Sequence, residues 1–188
     1  SIIMEIKITK TTNPAVKPDS SILGFGKYFT DHMFIMDYSA DKGWHDARIV
    51  PFGRIDIHPA STVLHYGSEI FEGLKAYTTI DNKVVCFRPD LNAQRMAQSC
   101  KRLEMPVFPE DKFVEAVAQV VKANEAYVPP YGSGATLYLR TYMFGSNPVI
   151  GVKPASEYQF RVFATPVGPY FKGGVKPLTI KISDFDRA

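Results

Sequence analysis

The sequence has few cysteines and no long apolar run. Its 188 residues include 2 cysteines, Cys86 and Cys100, without close spacing or a nearby histidine cluster. A metal or redox site built on them is therefore not expected, and both are predicted to be reduced, structural thiols. The apolar stretches are a few residues long, far short of the roughly 20 that a membrane-spanning helix needs. The first residues also lack the apolar segment of a signal peptide, so we expect a cytoplasmic protein.

The excess of one sign of charge over the other is also small. The net charge is +3, and the 22 lysines and arginines are scattered rather than gathered into a run that could follow a phosphate backbone. Nucleic acid is therefore not an expected partner. Aromatic residues are plentiful, since 10 tyrosines and 13 phenylalanines are present. They supply either a bulky core or the wall of an apolar pocket.

The pattern of residues along the chain predicts an α+β fold. Strands are predicted over 2–8, 27–38, 48–57, 74–80, 83–87, 135–144 and 157–165. A hairpin turn is predicted at Asp81 and Asn82, since both residue types tolerate positive φ. Helices are predicted to begin at Pro89 and Pro109. About one helical turn is predicted at 67–71, inside a loop between strands. Together these elements predict a mainly antiparallel sheet with packed helices.

The composition changes near the C-terminal end. Prolines and glycines gather between Pro166 and Pro177, which is typical of a linker between domains. We therefore predict a small N-terminal domain over 1–165, an interdomain loop over 166–176, and the first strand of a second, larger domain over 177–188.

One predicted strand carries a candidate binding face. Alternation along 135–144 puts Tyr138, Arg140 and Tyr142 on one side and apolar residues on the other. A guanidinium beside tyrosine hydroxyls suits a carboxylate, because arginine presents a planar fork of donors. A small-acid substrate is one interpretation, and a solvated polar face is the other. The spacing alone leaves both open.

A second candidate is Arg95, which lies near the apolar stripe of its predicted helix. A buried guanidinium is costly without a partner, so Arg95 must reach water, pair with a carboxylate, or hold an anion such as phosphate. The stretch from Tyr66 to Lys75 mixes aromatic, acidic and glycine residues on a predicted loop, which is a weak binding signal. Lys75 is interpreted as a surface lysine.

Five strings in this chain, taken in order, resemble the branched-chain aminotransferases. They are YFTDHM at 28–33, LHYGSEIFEGLKAY at 64–77, FRPDLNAQRM at 87–96, LYLR at 137–140 and TPVGPYF at 165–171. The resemblance covers the chain from about Gly24 onward. It implies a fold-type IV enzyme in which a small α+β domain and a larger domain enclose pyridoxal phosphate. The implied reaction moves the amino group of Leu, Ile or Val to 2-oxoglutarate.

The resemblance also implies roles for individual residues. Arg95 matches the arginine that binds the cofactor phosphate, and Tyr138 and Arg140 match the substrate-side tyrosine and arginine. The aromatic pocket wall of the family is matched by Phe25, Tyr66 and Phe71. Residues that reach into the neighbouring subunit's pocket are matched by Ile150 and Val152, which implies a homodimer. Amino acids and 2-oxo acids are the implied small-molecule partners.

The family's Schiff-base lysine is expected to lie beyond Ala188, together with the residues that bind the cofactor's phenolic oxygen and pyridine nitrogen. That lysine carries the cofactor and moves the α-proton, so the chain alone is not expected to transaminate. Two alternatives stay open. One is a D-amino-acid transaminase or aminodeoxychorismate lyase of the same fold, and the other is a non-catalytic dimerisation or ligand-binding domain.

Overall fold

A computed structural model describes residues 3–151 and 155–169 of the chain. Within these ranges the strands are β1 (Lys7–Ile8), β2 (His32–Ser39), β3 (Gly43–Pro51), β4 (Glu69–Thr78), β5 (Val84–Cys86), β6 (Thr136–Gly145) and β7 (Glu157–Val167). The α-helices are α1 (Thr62–Tyr66), α2 (Pro89–Arg102) and α3 (Glu110–Ala123), and Ser20–Ile22 and Glu125–Tyr127 form 3₁₀ turns.

The described strands form one seven-stranded sheet in the order β1, β3, β2, β7, β6, β4, β5. The β1 and β3 pair is parallel and the other pairs are antiparallel. Two tight connections join neighbouring strands. Gly43 has φ +70° where β3 begins, and Asn82 has φ 62° between β4 and β5, which residues of these types tolerate well. The predicted α+β fold and the hairpin at Asn82 are confirmed.

Helices α2 and α3 cover one face of this sheet, which we call the helix-covered face. From β6 it receives Leu137, Leu139 and Met143, all fully buried. Phe160 of β7 stacks on Phe108 with ring centroids 3.8 Å apart. Close packing of this kind makes this face the core of the described chain.

Both long helices begin where the sequence predicts. Pro89 is the first residue of α2, and Glu110 and Asp111 lie in the first turn of α3 directly after Pro109. Proline suits a first helical turn, and carboxylates there face the positive end of the helix dipole. Each helix buries one stripe, so both pack against the sheet.

Three local predictions are wrong. The helical turn predicted at 67–71 lies earlier, because Gly67 adopts φ +63° and its N–H caps α1 on Val63. The chain then enters β4, which pairs with β6 from Glu69 onward. The strand predicted over 48–57 ends at Pro51, since proline cannot extend a ladder of backbone donors. The N-terminal strand is reduced to Lys7–Ile8. Most of the predicted interdomain loop, and the strand over 177–188, lie outside the described residues.

Candidate functional site

The candidate site lies on the side of the sheet opposite the helices. We call this side the aromatic face, because Phe71 of β4, Tyr138 and Tyr142 of β6 and Phe163 of β7 point there. In register, Arg140 lies opposite Gly73 of β4 and opposite Phe163 of β7. Residues directly opposite in a sheet share a face. Three neighbouring strands therefore place these side chains on one surface.

Arg140 is the centre of this surface. Its Nε and Nη2 donate to the hydroxyl oxygen of Tyr138 at 3.3 and 3.2 Å. The guanidinium carbon lies 4.3 Å from the ring centroid of Phe71, a geometry in which the ring attracts the cation. Phe25 packs edge-on against Tyr138 with centroids 5.2 Å apart. The structure thus brings together four of the predicted substrate residues.

Gly73 is required for this packing. A Cβ added at Gly73 would overlap the ring and hydroxyl of Tyr138, so only glycine lets the tyrosine lie across β4. The residues around Arg140 also keep apolar surface open, since Phe71 is 55% and Phe25 is 42% exposed. Exposed aromatic surface beside a fixed guanidinium can hold a ligand with one apolar end and one anionic end.

Tyr66 stands apart from this group. It is the last residue of α1, and its ring lies 6.4 Å from that of His65. The described part of the chain shows no ring contact between Tyr66 and Phe71, Tyr138 or Arg140. Its place in the pocket wall stays a prediction. Ile150 is also exposed, while Val152 lies outside the described residues, so their reach into a neighbouring subunit's pocket is likewise untested.

Arg95 approaches β4 from the other side of the sheet. It projects from α2 on the helix-covered face, and its Nε and Nη2 donate to Glu72 Oε1 at 3.1 and 2.8 Å. Asn92 donates to the same oxygen at 3.0 Å and to the backbone oxygen of Gly73 at 3.1 Å. The side chain of Arg95 is 21% exposed. Arg95 is therefore held by a carboxylate, and the structure does not bring it into the group around Arg140.

A buried cation on the aromatic face is not among the residues predicted from the sequence. Arg161 of β7 lies opposite Tyr142 of β6 and is only 6% exposed. Alternation along β7 puts Tyr158, Phe160 and Val162 in the core, so the same period-2 argument applied to β6 could have placed Arg161 on the other side. The signal was present in the sequence.

Other candidate chemistry does not converge on this site. Cys86 and Cys100 are free thiols. Burial raises the pKa of both, that of Cys86 to about 11, so neither is poised to react.

A polar cavity of about 480 Å³ lies near the β2 and β3 turn, and its lining includes Asp37 and His45. Those two and Asp46 are the described residues closest to a metal-ligand set. Arg48, however, donates to Asp37 at 2.8 Å, and His45 bonds Asp46 at 2.8 Å. Hydrogen bonds within the chain therefore already use this set.

The described helices are all too short or too polar to span a membrane.

No protein-family model matches the chain. Full-length relatives do match it. The branched-chain-amino-acid aminotransferase of Mycolicibacterium smegmatis is 46% identical over 184 residues, which is 96% of this chain and 50% of that protein. Branched-chain-amino-acid aminotransferase 2 of Bacillus subtilis is 42% identical over 186 residues, 98% of this chain and 50% of that protein. The chain belongs to the branched-chain-amino-acid aminotransferase family.

The chain spans about half the length of the curated relatives it matches. Solved structures agree on the fold. The branched-chain amino acid aminotransferase of Escherichia coli superposes with a TM-score of 0.53 and 25% identity, covering 72% of this chain and 39% of that one. That of Thermoproteus uzoniensis gives 0.55 at 23% identity, with 72% and 41% covered. The family resemblance stated from the five strings is confirmed, and the α+β fold is that of the matching part of these enzymes.

Proposed function

We propose that this chain is the N-terminal part of a pyridoxal-phosphate-dependent aminotransferase that moves the amino group of Leu, Ile or Val to 2-oxoglutarate. The observation that carries the proposal is the group of Arg140, Tyr138, Phe71 and Phe25 on the aromatic face. Their contacts combine a fixed guanidinium with open aromatic surface. A pocket that must accept both an aliphatic side chain and a second carboxylate needs both features.

The two substrates would use this group differently. The exposed rings of Phe71 and Phe25 can cover an aliphatic side chain, which gains from leaving water. The guanidinium of Arg140 can bind the second carboxylate of glutamate or 2-oxoglutarate, and such charge-assisted bonds contribute about 1.5 to 3 kcal/mol each. Tyr138 accepts from Arg140 through its oxygen, so its own hydroxyl hydrogen is left to donate. A solved relative bound to N-(5'-phosphopyridoxyl)-L-glutamate supports glutamate as one substrate.

The residues also fit the cofactor. Glu72 pairs with Arg95 beside β4 and also accepts a hydrogen bond from Asn92, and a guanidinium fixed by such a carboxylate is suited to a phosphate group. We propose that Arg95 binds the cofactor phosphate. When bound, pyridoxal phosphate supplies the electron sink that stabilises a carbanion at the amino acid's α-carbon. A solved family member with pyridoxamine 5'-phosphate, 27% identical at a TM-score of 0.54, supports this cofactor.

We further propose a homodimer in which Ile150 and Val152 line the neighbouring subunit's pocket. Ile150 and Val149 are 64% and 59% exposed in the single chain, and an exposed apolar pair of this kind suits an interface. A cytoplasmic location stays the prediction made from the sequence.

The test is an assay of the full-length protein that carries this chain. With pyridoxal phosphate, L-leucine and 2-oxoglutarate, we expect glutamate and the branched 2-oxo acid as products. Exclusive turnover of D-alanine would instead favour a D-amino-acid transaminase of the same fold. If the protein with pyridoxal phosphate shows no absorption band that borohydride removes, a non-catalytic ligand-binding domain would be favoured.

A further inference from the structure

Arg161 is a buried cation whose hydrogen bonding is incomplete. Its Nε donates to Gln159 Oε1 at 2.9 Å, while its Nη1 is buried and has no hydrogen-bond partner among the described residues. Arginine is seldom fully buried, and a buried donor without a partner is costly. A fold that keeps such a residue gains nothing in stability from the open donor, which points to a role for its charge.

The hydrogen-bonded set around Arg161 contains two guanidinium groups and one carboxylate. Gln159 donates to one oxygen of Asp37 at 3.0 Å, and Arg48 donates to the other at 2.8 Å. Asp37 therefore pairs directly with Arg48, and Arg161 reaches it only through Gln159. Burial lowers the pKa of Arg161, yet an arginine pKa starts so high that the group stays charged at neutral pH. Arg48, Asp37, Gln159 and Arg161 together thus carry a net charge of +1.

This charge lies next to the proposed substrate group. Arg161 is opposite Tyr142, and Phe163, two residues further along β7, is opposite Arg140. Arg161 and Arg140 are thus diagonal neighbours on one face, with backbone positions about 7 to 8 Å apart. Burial raises the pKa of Tyr142, and the positive charge of Arg161 opposes that rise. Because a guanidinium only donates, it attracts the oxygen of Tyr142 and turns the hydroxyl hydrogen away, leaving Tyr142 as a donor.

We propose that Arg161 is a specificity-determining residue, a buried charge behind the aromatic face that favours substrates with a second carboxylate over branched-chain ones. It acts as a positioning residue, through Tyr142 and through the electrostatic potential at Arg140, without touching the substrate. The inference rests on the proposed function, because it assigns the preference to the same pocket. If the charge and the anion are separated by about this backbone spacing, an effective dielectric of about 20 with partial screening gives a change in affinity of up to roughly tenfold.

The experiment compares two 2-oxo acids in the full-length protein. Arg161→Met removes the charge and keeps an unbranched side chain, while Arg161→Lys keeps the charge. We expect Arg161→Met to raise the KM for 2-oxoglutarate roughly tenfold and to leave the KM for the branched 2-oxo acid of leucine within about twofold. Arg161→Lys should restore most of the loss. Equal changes for both substrates, or no change for either, would overturn the inference.

Two further variants calibrate the result. Arg48→Met removes a cation of the same network from β3, which β2 and β7 separate from β6, so its effect on 2-oxoglutarate should be smaller than that of Arg161→Met. Arg140→Met is the positive control and should have the largest effect. A thermal melt checks folding, and Arg161→Gln replaces Arg161→Met should the latter not fold.

Failure of the proposed function can be distinguished from failure of the inference about Arg161. A wild type that turns over neither substrate ends the transaminase proposal, and calorimetric binding of glutarate and of 4-methylvaleric acid then decides the role of Arg161. Selective weakening of glutarate by Arg161→Met supports the inference. Unselective weakening, or no binding of glutarate to the wild type, overturns it.

Discussion

The two faces of the sheet are built from alternate residues of the same strands, yet they are completed by different partners. On the helix-covered face, Leu139 and Phe160 are fully buried by α2, α3 and the loops of this chain. On the aromatic face, Phe71 and Phe25 stay about half exposed around Arg140. Apolar surface that the chain buries itself contributes to stability, whereas apolar surface left open around a fixed charge is available for binding. Substitutions on the two faces should therefore affect different measurements.

The largest expected effect tests the helix-covered face. Phe160→Ala removes a fully buried ring that stacks on Phe108, so we expect the free energy of unfolding to fall by about 3 to 5 kcal/mol. Phe163→Ala, on the same strand but on the aromatic face, is the matched control. Phe163 packs more loosely, with the nearest ring centroid 5.8 Å away, and should lose less than about half as much. Urea denaturation followed by tryptophan fluorescence measures both, since Trp44 contacts Phe108. Equal losses would show that the faces do not differ.

The next effect tests whether the helix-covered face also binds a ligand. Arg95→Ala should weaken the binding of pyridoxal phosphate by about 1.5 to 3 kcal/mol, because a charge-assisted contact to the phosphate is lost. Equilibrium dialysis of the full-length protein measures this directly. Arg102→Ala, an exposed arginine in the last turn of the same helix, should leave the affinity unchanged. Unchanged affinity in Arg95→Ala would limit this arginine to its ion pair with Glu72.

The sequence predicts the face on which a residue lies where alternation within a single strand decides it. Alternation in β6 assigns Leu139 to the core and Arg140 to the other side, as the structure confirms. It cannot predict what several strands decide together. From the sequence alone, Gly73 favours a loop, but the structure places it in the middle of β4, under the ring of Tyr138. Alternation in β7 could have placed Arg161 on the aromatic face, but its position opposite Tyr142 depends on the register of β6 with β7.

The partner of Arg95 shows the same limit. The sequence left three possibilities for this arginine, and the structure shows the carboxylate of Glu72. Glu72 and Arg95 are 23 residues apart in sequence, and only the packing of α2 on β4 brings them together.

The smallest expected effect separates the faces at adjacent residues of β6. Thr141 is fully buried on the helix-covered face, and its hydroxyl donates to the backbone oxygen of Glu72 at 3.2 Å. Thr141→Val keeps the branched shape and removes only that donor, so we expect a loss of about 0.5 to 1.5 kcal/mol in the free energy of unfolding. The KM for both 2-oxo acids should stay the same. Tyr142→Phe, one residue further on, removes a hydroxyl on the aromatic face and should do the reverse, changing the KM for 2-oxoglutarate with little change in stability. If Thr141→Val altered the KM instead, the hydroxyl would be acting across the sheet, and the separation of the two faces would not hold.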